Sequence, residues 1–438
     1  MNPCTQRVVG VKQACCPPRV RDRTIIPQSH VGFSAGVPYQ GSMLRRDTLA
    51  LTALLALMTA VGPMSVDFYL PSLPQIGRVF DATVPQVQLT LSGYLLCFAV
   101  GQIVYGPISD HVGRKPVLLT ALALYAAVCL GCVLAASIEM LIVLRCLQAL
   151  GVAGAPVLAR AIVRDLYHGV RAGRELARMG SITALAPVVA PSLGGVLQAT
   201  FGWRASFLGM AALGLCAILL VIRLLPETMK QRPQEPMSLS SIVRGYGIFL
   251  RRRTFRIYLA IVATSYGGLF AWISGSSFVL QDLYGLSPLL FGLVFAAATL
   301  GYGLGTLLAA RLVGRIGIDR TIVCGGIALA AGGLAMAAAI AIGATSPAAL
   351  ALPMALYLCG LGLAMPQSMA GALTPFPERA GAASSLLGFL QQATASAIGI
   401  MVGQMLGASA LPLAAIIAAM GVLALALALF KRSLGPIH

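Results

Sequence analysis

The chain has 438 residues, of which 58% are hydrophobic and only 10% are charged. A soluble domain carries roughly 25% charged residues, so most of this chain is expected to lie in lipid rather than in water. The net charge of +18 does not indicate nucleic-acid binding, because the basic residues fall in short breaks between apolar runs rather than in a basic folded segment interleaved with aromatic residues.

Residues 1–43 are the first predicted element, a polar N-terminal tail. They contain scattered prolines and glycines and lack the apolar core of a signal peptide. Their composition favours a disordered tail over a palmitoylation or metal site at Cys15-Cys16. Met43 directly precedes the first apolar run and would be a natural start of its own.

Twelve apolar segments follow, each near the roughly 20 residues that a helix needs to cross a bilayer. The pattern predicts an all-α integral membrane protein with twelve transmembrane helices, here called spans 1 to 12. Span 5 is expected to begin earlier than its apolar core, in the basic segment after Arg160. The predicted cores are 48–70, 84–107, 117–136, 139–159, 180–199, 205–225, 257–280, 290–312, 321–343, 347–369, 383–405 and 409–430.

One long polar break divides the spans six and six. We therefore predict an N-terminal six-helix bundle over 44–225, a cytoplasmic linker over 226–256 and a C-terminal six-helix bundle over 257–432. Of the 31 lysines and arginines, only Arg78 and Arg204 fall in loops on the side opposite the linker. Because cytoplasmic loops carry the excess of Lys and Arg, this asymmetry predicts that both termini are cytoplasmic.

A short charged turn joins spans 2 and 3, and we expect it to act as a gating loop. A glycine late in span 2 leaves room for a neighbouring helix, and a second glycine supplies the turn. The aspartate can cap a helix start or pair with a cation, and the two basic residues mark the cytoplasmic side. In order, these residues are Gly106, Asp110, Gly113, Arg114 and Lys115.

This turn resembles the signature loop between helices 2 and 3 of the major facilitator superfamily. His111 stands where that family usually has arginine. The second half carries a partial copy, in which Gly314-Arg315 aligns with Gly113-Arg114 at a shift of 201 residues and the acid is missing. The resemblance implies two pseudo-symmetric six-helix bundles, the major facilitator fold, with a site between them near the membrane midplane.

Two charged residues lie inside apolar spans, where charge is costly and usually functional. Asp67 is late in span 1 and Arg145 is early in span 4, so both are expected in the outer half of the membrane. Asp67 has an alternative role as a cap for the segment around Pro71 and Pro74. Arg145 has an alternative role as a side chain that snorkels to the outer surface.

Span 5 is interrupted by prolines and glycines. Pro187 and Pro191 each remove a helix hydrogen bond and bend the helix, while Gly194 and Gly195 let another helix come close. Span 11 carries Gly399-x-x-x-Gly403-x-x-x-Gly407, a smooth ridge for helix packing. Each of these two patterns is compatible with static helix packing and with a helix interface that moves during transport. The sequence does not decide between these alternatives.

Nearly everything after residue 43 is similar to the twelve-span drug:proton antiporters, and more narrowly to the bicyclomycin- and chloramphenicol-resistance (Bcr/CflA) subfamily. The resemblance is carried by Asp67-Phe-Tyr-Leu-Pro-Ser-Leu-Pro74, Arg145-Cys-Leu-Gln-Ala-Leu-Gly151 and Ala190-Pro-Ser-Leu-Gly-Gly195. It implies that Asp67 takes part in protonation and cation recognition and that Arg145 is linked to proton coupling. It also implies an antiporter motif in span 5, although this segment lacks the leading glycine of the commonest pattern.

A drug-binding cavity would be lined by apolar and aromatic side chains with few polar anchors. For each aromatic candidate, ordinary core packing is the alternative. The candidates are Phe68, Tyr69, Tyr94, Gln148, Trp272, Phe278, Phe389 and Gln391.

The leading functional prediction is a proton-driven exporter of small hydrophobic or cationic drugs, acting as a monomer in a bacterial cytoplasmic membrane. No phosphate-binding loop of the G-x-x-x-x-G-K-[ST] type occurs, so the energy must come from an ion gradient or from the substrate's own gradient. Transport of a sugar or an amino acid is the alternative. The ten cysteines and four histidines show no metal spacing or catalytic constellation, so we predict no enzyme activity, no cofactor and no metal.

Overall fold

The computed structural model describes residues 49–167, 169–229, 246–376, 379–407 and 409–434. The predicted tail over 1–43 and most of the predicted linker lie outside these ranges. Within the described ranges all regular structure is helical, and twelve helices are long and apolar enough to cross a membrane. The predicted twelve-span helical architecture is therefore confirmed, whereas the domain boundaries at 44–225, 226–256 and 257–432 stay predictions.

Six of the observed spans are more than one helical turn longer than their predicted cores, and the other six match the predicted bounds to within four residues. Span 5 does begin in the basic segment, as expected, and a break at Ala184-Leu185 separates its two helices. The spans are Leu49–Asp67 with the 3-10 turn Leu70–Ser72 and Leu73–Val79 (span 1), Val84–Val112 (2), Arg114–Val133 (3), Ile138–Leu166 (4), Gly169–Thr183 and Ala186–Phe201 (5), Trp203–Leu224 (6), Arg253–Phe278 with the π turn Val279–Leu283 (7), Pro288–Ile316 (8), Ile318–Ala341 (9), Ala348–Leu373 (10), Ala380–Met405 (11) and Leu411–Ser433 (12).

The internal repeat has a different register from the one predicted. Spans 2 and 8 each have 29 residues, begin after the N-caps Thr83 and Ser287, and end at the left-handed glycines Gly113 (φ 123°) and Gly317 (φ 82°). All of these pairs are 204 residues apart. The predicted shift of 201 was wrong, because Gly314 lies inside span 8 and nothing stands within 4 Å of its Cβ position.

Small residues set the packing between spans, as expected where lipid removes the hydrophobic drive between helices. On span 8, Cβ atoms on Gly301 and Gly305 would collide with the backbone of span 10 at Ala355 and Cys359. Large apolar side chains face outward instead, and Leu300 is 61% exposed. Spans 1–6 meet spans 7–12 mainly where span 2 packs on span 11 and span 5 packs on span 8.

Candidate functional site

A cavity of about 220 Å³ lies between the first six and the last six spans. Its wall is mostly apolar and aromatic, with a few hydroxyl and amide groups. Among the residues that the structure describes, Asp67 is the one charged side chain in this wall. The lining residues are Gly62, Pro63, Val66, Asp67, Tyr94, Leu95, Phe98, Pro187, Tyr266, Leu269, Phe270, Ile273, Phe295, Thr299, Tyr302, Leu358, Leu361, Met365 and Gln392.

Asp67 is the last residue of the first helix of span 1, and only 5% of it is exposed. Among the described residues no cation lies within 4 Å of its carboxylate. Neither the 3-10 turn Leu70–Ser72 nor the helix Leu73–Val79 has a side-chain cap. The capping alternative therefore has no hydrogen bond to support it, and Asp67 faces the cavity.

Arg145 is completely buried, so it does not snorkel to the surface. Its Nη1 donates to the Ser65 carbonyl oxygen (3.1 Å) and to Gln148 Oε1 (2.5 Å). Its guanidinium lies over the rings of Tyr94 (4.3 Å to the centroid) and Tyr69 (4.6 Å). Nε and Nη2 have no acceptor, and no described carboxylate lies within 4 Å. Aromatic faces rather than an anion stabilise this cation.

Tyr94 contacts one of the two charged residues and shares the cavity wall with the other, and Asp67 and Arg145 form no ion pair with each other. Its ring contacts Arg145 and also lines the cavity beside Asp67. Its hydroxyl donates to the Gly62 carbonyl oxygen (3.0 Å), which fixes the ring against span 1.

Among the eight predicted cavity residues, only Tyr94 lines this cavity. Sequence reasoning missed Phe98, Gln392 and three residues of span 7 spaced on one helical face, Tyr266, Phe270 and Ile273. The spacing of the three span 7 residues on one helical face could have indicated them from the sequence. Gln392 could have been considered because it directly follows the predicted residue Gln391. The predicted residues that do not line it are Phe68, Tyr69, Gln148, Trp272, Phe278, Phe389 and Gln391.

The two halves bind each other directly at the predicted extracellular end. On span 7, Ser277 Oγ donates to the Leu70 carbonyl oxygen (2.6 Å) and Gln281 Nε2 to that of Pro71 (3.2 Å). Ser396 Oγ of span 11 donates to the carbonyl oxygen of Ser92 on span 2 (2.8 Å). This end is closed in the conformation observed.

The proline and glycine segment of span 5 lies within the same closed region. Pro187 lines the cavity, and Pro191 lies inside the second helix of the span. A Cβ on Gly194 would collide with the backbone of Phe68, and one on Gly195 would lie 2.6 Å from the Pro288 carbonyl oxygen of span 8. On the span 11 ridge, Gly399 and Gly403 pack on span 2, whereas nothing lies within 4 Å of the Gly407 Cβ position.

The predicted gating loop forms a network at the opposite end of the spans. Arg114 Nη1 lies 2.6 Å from Asp110 Oδ1 and its Nε lies 3.0 Å from Oδ2 of Asp165 on span 4. The same guanidinium donates to Ser109 Oγ (2.5 Å). Gly106 and Asp110 also line a second cavity, of about 790 Å³, which opens between the halves at this end.

Glu227, just after span 6, completes this network and was missed from the sequence. Its carboxylate accepts from the backbone N–H groups of Arg114 (3.1 Å) and Lys115 (3.0 Å). These are among the first N–H groups of span 3, which have no partner within their own helix. A Cβ on Gly113 would lie 2.9 Å from Glu227 Oε2, so the turn needs glycine for space as well as for its φ.

Replacing Glu227 tests this contact. Glu227→Ala leaves those N–H groups of span 3 without an acceptor, and loss of a helix cap costs about 1 kcal/mol. We expect a lower melting temperature for the purified protein and slower transport. Glu139→Ala is the matched control, because Glu139 is an exposed acid in the first turn of span 4. Equal melting temperatures for Glu227→Ala and the unmodified protein would contradict a stabilising role.

No group of three or more metal-ligating side chains occurs in the described parts of the chain. The central cavity offers one carboxylate, several aromatic rings and few polar anchors. Such a wall suits binding of an apolar molecule together with exchange of one proton or one cation.

Comparison with known proteins agrees with this geometry. The sequence profile of the Major Facilitator Superfamily matches residues 55–400. The chain is 33% identical to the uncharacterized MFS-type transporter YdgK of Bacillus subtilis (strain 168), over 82% of this chain and 89% of that protein. It is 30% identical to Multidrug resistance protein D of Escherichia coli (strain K12), over 80% of this chain and 87% of that protein.

Two further comparisons concern subfamily and fold. The chain is 30% identical to the Chloramphenicol resistance protein of Pseudomonas aeruginosa, over 82% of this chain and 84% of that protein. The crystal structure of a D-xylose-proton symporter matches with a TM-score of 0.70 at 16% identity, over 88% of this chain and 98% of that chain. This match shows the shared fold. The chain therefore belongs to the Major Facilitator Superfamily, within the bicyclomycin- and chloramphenicol-resistance group, and is a transporter rather than an enzyme.

Proposed function

We propose that this protein exports hydrophobic or cationic drugs in exchange for protons by alternating access. The observation that carries the proposal is a cavity between the halves whose aromatic wall contains a single carboxylate, Asp67. Relatives named for resistance to bicyclomycin, chloramphenicol and multiple drugs support the substrate class. A sugar site needs many polar partners, and this wall offers few.

In this proposal Asp67 carries the proton and Arg145 tunes when the proton is taken up and released. A carboxylate removed from water favours its neutral form, and a nearby cation favours the ionised form. Closer approach of the two residues during the cycle would therefore release the proton, and separation would allow it to bind. Tyr94, in contact with Arg145, is the side chain through which that approach would act.

We further propose that the protein is a monomer in the bacterial cytoplasmic membrane with both termini in the cytoplasm. Twelve spans bring the termini to one side, and the distribution of Lys and Arg selects the cytoplasm. In this orientation the cavity is closed toward the outside and the second cavity opens inward. The conformation described would then be the one that receives drugs from the cytoplasm or inner leaflet.

A drug panel tests the proposed substrate class. Cells that lack their own major efflux pumps should survive higher concentrations of several hydrophobic antibiotics when they express this protein. In everted vesicles, adding such a drug should release accumulated protons, because drug and proton compete for one carrier. Proton release with a sugar or an amino acid, but with no drug in the panel, would contradict drug export and favour a metabolite carrier.

A further inference from the structure

The second cavity carries positive charge that the described residues do not balance. Arg160 and Arg164, one helical turn apart on span 4, line it together with Arg379, which directly precedes span 11. No described carboxylate lies within 4 Å of any of the three. Asp110 lines the same cavity, but its carboxylate is paired with Arg114 at 2.6 Å.

The first turn of span 11 adds hydrogen-bond donors to this cavity. No side chain of the described residues caps this helix, so its first N–H groups lack a described side-chain acceptor. Gly381 and the hydroxyl groups of Ser384 and Ser385 line the cavity wall. Arg164 Nη1 lies 3.1 Å from the Cβ position of Gly381, so a guanidinium of the first half reaches the helix start of the second half.

We propose that this cavity binds a phosphate group. Guanidinium groups and the first N–H groups of a helix are the donors that bind phosphate in proteins, and here both meet with no carboxylate of the described residues paired to them. If these arginines served only to orient the spans in the membrane, they would have no reason to line the same cavity. Because its donors belong to spans 4 and 11, a bound phosphate would join the two halves at the predicted cytoplasmic end. The proposed mouth site consists of Arg160, Arg164, Arg379, Gly381, Ser384 and Ser385.

Thermal unfolding with added phosphate tests the mouth site without relying on transport. The purified protein in neutral detergent is melted in increasing sodium phosphate, with ionic strength held constant by sodium chloride. We expect a saturable rise in melting temperature. The apparent Kd for phosphate should increase about tenfold in Arg164→Gln and in Arg379→Gln. The increase should be smaller in Arg164→Lys, which keeps the positive charge but loses the paired N–H donors of the guanidinium. Arg315→Gln, an exposed arginine outside this cavity, is the matched control.

A second arm separates a soluble phosphate from a lipid headgroup. The same variants are melted in nanodiscs of phosphatidylcholine alone and with added phosphatidylglycerol. A rise with inorganic phosphate assigns the site to a soluble anion, and a rise with phosphatidylglycerol alone assigns it to a lipid phosphodiester. Either response must be reduced in Arg164→Gln and Arg379→Gln. No response to either probe, or equal responses in these variants and the unmodified protein, would overturn the site whether or not the protein exports drugs.

Discussion

Asp67→Asn should reduce proton-coupled drug export to the background of membranes without the protein. Asparagine keeps the size of the side chain but cannot carry a proton, and Asp67 is the one charged group that the described residues place in the cavity wall. The loss should be most severe for cationic drugs, which also lose their counter-charge. Folding should survive, because the substitution removes a buried charge that has no described ion-pair partner.

Drug-induced proton release in everted vesicles measures this loss, with expression followed by a fused fluorescent tag. Downhill exchange of a neutral drug against the same drug should persist in Asp67→Asn, since that exchange needs no proton. Asp282→Asn serves as the matched control, because Asp282 is an exposed acid of the span 7 π turn and does not line the cavity. Proton release at the unmodified rate in Asp67→Asn would show that another group carries the proton.

Arg145→Lys should also lose coupled export, although the charge is kept. Lysine has no planar guanidinium to stack on the rings of Tyr94 and Tyr69. Its ammonium group would also lie at a different position relative to the Ser65 carbonyl oxygen and Gln148. Arg145→Met should lose export as well, yet its melting temperature should equal or exceed that of the unmodified protein. Replacing a buried ion pair by apolar residues is often neutral or stabilising by about 1–4 kcal/mol, and removal of Arg145 leaves no described carboxylate unpaired.

Paired measurements of melting temperature and vesicle proton release separate function from folding here. Arg204→Lys is the matched control, since Arg204 also stacks on a ring, that of Trp203 at 4.4 Å, but is exposed and outside the cavity. Full export by Arg145→Lys would mean that only charge matters at this position. Full export by Arg145→Met would remove Arg145 from the coupling mechanism.

The spans and the two intramembrane charges could be predicted from sequence because their signals are local. A run of about 20 apolar residues needs no tertiary information, and charged residues within such runs are rare. The repeat register was missed because Gly314-Arg315 copies the local pattern of Gly113-Arg114, whereas the chain turns three residues later, at Gly317.

Long-range contacts could not be predicted in this way. Glu227 caps a helix that begins more than a hundred residues earlier, and nothing around it in the sequence indicates that partner. Aromatic residues in a span can face lipid, a packed neighbour or a cavity, and their composition is the same in all three cases. Trp272 illustrates this, since it is buried against Phe295 instead of lining the cavity.

If Asp67 carries the proton, as proposed, this carboxylate also determines which part of the proton-motive force can drive each drug. If one proton enters for each neutral drug that leaves, one net charge crosses the membrane, and a potential of 100 mV contributes about 2.3 kcal/mol. That corresponds to about fortyfold accumulation. If the drug is a monovalent cation, the two charges cancel and only the pH gradient remains. With Asp67 as the one proton carrier, as proposed, transport would be electrogenic for neutral molecules and electroneutral for monovalent cations.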